Sequence, residues 1–161
     1  DVNGLVGSCT TPPNQLPDLT CVQNGWAATT STVVGNLDTI LNTLRAEGGK
    51  TKEIIVVGLY NPLYVPIYLN LGPAAAAGTD ALAAQFNAAE AQVAAKYHAK
   101  FVDPLPVINN ANFPVAPPTP PEVASVCYYT LMCAPAPGGD IHASDAGYQA
   151  IGNLVKVASG Y

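Results

Sequence analysis

The segment Gly138-Gly-Asp-Ile-His-Ala-Ser-Asp-Ala-Gly-Tyr148 concentrates the residue types that do chemistry. His142 stands between Asp140 and a helix start signalled by Ser144. The positive end of a helix disfavours a second positive charge beside it, which keeps an imidazole neutral and able to accept a proton. A neighbouring carboxylate or carbonyl holds the ring in the tautomer that exposes its other nitrogen. Those are the requirements of a general base acting on a serine hydroxyl. The same residues also fit a plainer description: a surface-loop histidine, with Asp140 favouring the turn.

The remaining candidates are fewer. His98, in Lys96-Tyr-His-Ala-Lys100, reads as a solvated residue at a helix C-terminus. Asp103 either approaches a substrate at the carboxyl end of a strand or simply ends that strand with Pro104. The run Pro114-Val-Ala-Pro-Pro-Thr-Pro-Pro121 fits a polyproline II ligand or, in a secreted chain, a stiff loop over the mouth of a site. Four cysteines fall as two local pairs, Cys9 with Cys21 and Cys127 with Cys133, without the spacing of a zinc or redox site. Disulfides within each pair would pin loops that have little else to hold them and would indicate an oxidising, extracellular setting. The alternative is four buried thiols.

The elements that must position these residues alternate. Residues 1–24 read as loop, with Pro12, Pro13 and Pro17. A helix is predicted from Trp26 to Ala46, its stripe formed by Val33, Val34, Leu37, Ile40, Leu41 and Leu44 and its end set by Gly48-Gly49. Glu53 to Tyr60 is a continuous β-branched run, the pattern of a strand covered on both faces of a parallel sheet. Leu63 to Gly78 is punctuated by Pro and Gly and is expected to be irregular. Thr79 or Asp80 would cap a second helix to about Tyr97, and Ala99 to Asp103 a second strand. Asn109 to Gly139 is expected as a proline-rich excursion, followed by a helix from Ser144 to about Ala158. Helix, strand, helix, strand, helix implies an α/β domain with a parallel sheet. Two strands cannot cover an apolar strand on both sides and leave both sheet edges open, so further strands are expected outside this sequence.

The 161 residues suit one domain, 1–161, with 49% apolar residues and only 11% charged ones. A net charge of −5 and the absence of a Lys/Arg cluster exclude a nucleic-acid partner. No apolar stretch reads as a transmembrane segment. Asp1-Val-Asn-Gly4 resembles no leader peptide, so a leader was removed or the sequence is an internal piece.

The His142 segment resembles the last block of the SGNH/GDSL hydrolases, whose secreted actinobacterial-type lipases and esterases read much like Asp-Ile-His-Pro-Thr-Asp-x-Gly-Tyr. Asp140, Ile141, His142, Asp145, Gly147 and Tyr148 match, and Ala143 replaces the proline. The Ile54 to Pro62 strand and turn, the Leu37 to Arg45 helix and the Tyr128 to Cys133 segment are similar to regions of the same group. The family's more general spacing puts the triad acid at Gly139, so either Asp140 or a backbone carbonyl near Gly139 orients the ring. The family's serine sits in a Gly-Asp-Ser block that this sequence lacks, and no G-x-S-x-G elbow is present. Asp1-Val-Asn-Gly4 is similar to the oxyanion block in two registers: Asn3 is the oxyanion-hole asparagine, or that residue lies immediately upstream. An ordinary Asn-Gly turn is the third reading.

The resemblance implies the C-terminal part of a secreted enzyme with a three-layer α/β/α, flavodoxin-like fold, lacking here its N-terminal strands. It implies ester hydrolysis by serine and His142, with Asp140 as orienter, Asn3 as oxyanion donor and no cofactor or metal. The partner it implies is an N-terminal fragment of the same enzyme carrying the serine, and the substrate a small ester or lipid. The alternative is a non-catalytic secreted binding module derived from the same fold.

Overall fold

A computed structural model describes residues 2–10, 17–49, 52–134 and 140–160, with side chains from residue 4 onward. The chain forms a mixed α/β structure, mostly helical, around a two-stranded parallel sheet. Strand β1 (Ile55–Val57) pairs with β2 (Lys100–Val102) in the register Ile55 to Lys100, Val56 to Phe101 and Val57 to Val102. The Lys100 amide donates to Ile54 O and the Gly58 amide to Val102 O, both at 2.9 Å. β1 is shorter than the Glu53 to Tyr60 run because its ladder ends with its partner. Val57 is 41% exposed, and β1 has no second strand neighbour among the described residues.

The helices α1 (Val2–Ser8), α2 (Leu19–Gly48), α3 (Tyr64–Leu71), α4 (Pro73–Lys96), α5 (Leu105–Ile108), α6 (Pro121–Tyr129) and α7 (Asp145–Ser159) make up the rest. Both α4 and α7 pack on both strands. A ribbon of two strands is about 5 Å across and a helix about 10 Å thick, so the two helices must take opposite faces. The main cluster of buried side chains lies elsewhere, where Tyr64, Val65 and Ile67 of α3 meet Ala76 of α4 and Val123 and Val126 of α6.

Several sequence expectations need correcting. Residues 64–71 and 73–78 are helical rather than irregular, and the 109–139 excursion contains α6. In each case a proline occupies the first turn of a helix: Pro66 in α3, Pro73 in α4, Pro106 in α5 and Pro121 in α6. There the missing N–H removes no intrahelical bond, and the fixed φ suits the helix. Helix α2 begins at Leu19, where Asp18 Oδ1 accepts from the Thr20 and Cys21 amides at 2.9 and 3.2 Å. Only part of its apolar stripe is covered: Leu41 is buried against the rest of the molecule, whereas Ile40 and Leu44 are exposed.

Both local disulfides form, Cys9–Cys21 and Cys127–Cys133. The first ties the end of α1 to the first turn of α2; the second closes the turn after α6. No helix among the described residues is long and apolar enough to cross a membrane.

Candidate active site

Ser144 caps α7 as its residue type predicts, its Oγ accepting from the Gly147 amide at 3.2 Å. That places His142 two residues before the cap, on a segment stitched to the end of α6. The Leu131 amide donates to His142 O and the Ser144 amide to Tyr129 O, both at 2.9 Å; Ser144 Oγ donates to Tyr128 O at 2.8 Å. Thr130 and Ala143 face each other in an antiparallel bridge, both buried. The approach is close enough to require glycine at the next turn: a Cβ on Gly147 would stand 2.0 Å from Tyr129 O.

Asp140 meets His142 twice. Its Oδ1 accepts from the His142 amide at 2.9 Å and lies 2.5 Å from Nδ1. The amide bond, and then the ring contact, hold the Asp140 carboxyl below the usual carboxylate range. With the proton on Nδ1 and donated to Asp140, Nε2 keeps its lone pair and can accept a proton. The ring is exposed, at 68% of its side-chain surface. Among the described residues no serine hydroxyl is hydrogen-bonded to it; Ser144 and Ser8 are engaged with backbone groups and Ser125 is fully buried.

Beside the imidazole opens a cavity of about 560 Å³, within the usual range for small-molecule sites. His142 and Ile141 form one edge. Val6, Gly7, Pro17 and Leu19 from the first two helices and their link form another, with Val22 and Trp26 further along α2. Leu59 to Leu63, Ile67, Leu82 and Ala83 complete a largely apolar wall in which Tyr60, Asn61 and Thr79 are the polar exceptions.

Three asparagines hold the Gly58 to Leu63 part of that wall. Asn87 Oδ1 accepts from the Leu59 amide at 2.7 Å, and its Nδ2 donates to Leu59 O and to Asp103 Oδ1. Asn61 and Asn109 are paired reciprocally: the Asn61 amide donates to Asn109 Oδ1 and Asn109 Nδ2 to Asn61 O. Both side-chain amides also donate to Asp80 Oδ1. Burial, and a hydrogen bond shared with Glu122, raise the Asp80 carboxyl to about 8, against which Asn61 works in the opposite direction. No sequence motif marked these residues. For Asn87 the available signal was a polar side chain inside an alanine-rich helix, where asparagine is a poor helix former; Asn61 and Asn109 lie outside it and carried no such signal.

Of the other candidates, His98, Asp103 and the proline-rich run do not line the cavity. Asn3 lies on α1, but its side chain is outside the described residues, as is Gly139, the alternative orienter. His98 sits at the opposite end of the sheet, just after α4, with φ +53°. Asp103 binds Asn87 and the Leu105 amide, a structural use. The proline-rich run leads into α6 and is not among the residues lining the cavity. Among the described residues no group of three His, Cys, Asp or Glu could hold a metal ion. Comparison with known protein families, with curated proteins and with solved structures finds no match.

Proposed function

We propose that this chain supplies the histidine-bearing part of a secreted serine ester hydrolase of the SGNH/GDSL type, its nucleophile lying on polypeptide outside these 161 residues. The observation that carries the reading is the Asp140–His142 pair at the edge of an apolar cavity, with Nε2 left free. In the reaction, a serine Oγ attacks the ester carbonyl while His142 Nε2 takes its proton. The imidazolium, stabilised by Asp140, then returns the proton to the leaving alcohol. Asn3 is proposed as a donor to the tetrahedral oxyanion. The apolar wall suits the acyl or aromatic part of an ester and offers no cation for a charged one. In this reading the two helices enclosing the short sheet belong to a three-layer α/β/α sandwich, completed by N-terminal strands. The two disulfides support an extracellular setting.

The absence of a serine hydroxyl at the imidazole, among the described residues, favours a second reading: a binding module that retains the cavity without chemistry. Hydrolysis of p-nitrophenyl esters by the complete protein, wild type against His142→Ala, separates the two. Loss of turnover with unchanged circular dichroism supports the hydrolase. Ester binding without turnover in either form, read from the fluorescence of the single tryptophan, Trp26, in the cavity wall, supports the module.

A further inference from the structure

The support of His142 is two-sided. Behind it, residues 140–144 are stitched to the end of α6. On the cavity side, the Tyr60 hydroxyl donates to Ile141 O at 2.9 Å. The phenol thus engages the peptide carbonyl just before residue 142, while Tyr60 forms part of the cavity wall.

Tyr60 is itself held with little freedom. The residue before it is fixed at both its N–H and C=O by Asn87, and the residue after it at both by Asn109. Gly58, at the start of the segment, has no room for a side chain: a Cβ there would stand 2.7 Å from Phe101 Cζ and 2.9 Å from Asn87. A hydroxyl on so constrained a backbone can transmit that constraint to the segment it touches.

We propose that Tyr60 is a positioning residue for His142, its hydroxyl holding the Ile141 carbonyl so that the imidazole stays at the cavity edge with Nδ1 on Asp140. The functional part of this inference rests on the hydrolase reading; the positional part does not. An exposed imidazole on a segment supported from one side only would sample orientations in which Nε2 misses a nucleophile, and small misplacements cost turnover more than binding.

The test is Tyr60→Phe, which keeps the ring and removes the hydroxyl, alongside Tyr60→Leu, which removes the ring. Two readouts apply. The Nδ1-bound proton of His142, followed by proton NMR, is expected to broaden or shift upfield in Tyr60→Phe as the Asp140 contact loosens. In the complete protein, kcat for a p-nitrophenyl ester is expected to fall about tenfold with KM within about twofold. If Tyr60→Phe keeps the wild-type His142 resonance and only Tyr60→Leu changes it, the ring matters and the clamp is refuted. If the wild type hydrolyses no ester, the hydrolase reading fails, and the resonance alone still decides the positional claim.

Discussion

The two ends of the short sheet are built from different chemistry. At the carboxyl ends of the strands the anchors are buried amides: Asn61, Asn87 and Asn109 fix the Gly58 to Leu63 segment, with Asp80 and Asp103 as their acceptors, and His142 borders the cavity it walls. At the amino ends, cations cover carbonyls. Arg45 donates to Tyr97 O at 2.6 Å, His98 O at 2.8 Å and Lys52 O at 2.5 Å. Lys100 reaches Glu53 and Ala158 O, and Lys96 pairs with Asp38. Arg45 and Lys100 there bond carbonyls at or just beyond the ends of α4 and α7, where helices leave carbonyls unpaired. Each end carries one of the two histidines, and His142 is the one that lines the cavity described above.

Replacing each histidine gives the sharpest contrast. His142→Ala should lower kcat/KM of the complete protein by about a thousandfold or more. His98→Gly should leave hydrolysis unchanged. Equal losses, or none, in an ester assay would erase the distinction between the ends. Next in size, Gly147→Ala should destabilise by about 1–3 kcal/mol, since the added methyl must displace α7 from Tyr129 O. Thermal denaturation checks this, and an unchanged midpoint would mean the α6–α7 stitch yields freely. Asp140→Asn should cost about ten- to a hundredfold in kcat, a loss softened by the acid's exposure. An undiminished rate would pass the orienting role to another acceptor, such as the carbonyl near Gly139.

The amide-lined end also predicts a pH response. The Asp80 carboxyl is raised to about 8 in the folded chain against an ordinary 3.8. Between those values the folded state keeps a proton that the unfolded state releases. The stabilisation is therefore complete below about pH 4 and lost as pH rises through about 8. The melting midpoint should fall across that window, and Asp80→Asn, which mimics the protonated acid, should flatten the fall. Parallel profiles would show that Asp80 does not set it. Smallest of all, His98→Gly should stabilise by up to about 1 kcal/mol, because φ +53° suits glycine.

Legibility followed how local each signal was. The Ser144 cap, the two strands in order and both cysteine pairs are short-range patterns, and each was visible in the sequence. The Asp140 to His142 contact is likewise local, a bond between residues two apart. What stayed hidden depended on distance or on position within an element. Proline was read as a breaker, yet in α3, α4, α5 and α6 it occupies a first turn, where it is harmless. Tyr60 lies 81 residues from Ile141, and Asn61 lies 48 from Asn109, so no periodicity joins them. The α2 stripe was visible, but its cover was not: Ile40 and Leu44 remain exposed.

The disulfides are both short, joining cysteines 12 and 6 positions apart. Neither crosses from one half of the sequence to the other. The cavity, in contrast, is assembled from Val6 and Pro17 at one end of the chain and His142 near the other. A protease cutting anywhere between residues 22 and 126 would leave two pieces with no covalent tether between these disulfide-linked ends. The nicked protein would then keep its pocket only while side-chain packing and hydrogen bonds hold the pieces together, and denaturant alone, without reductant, would part them.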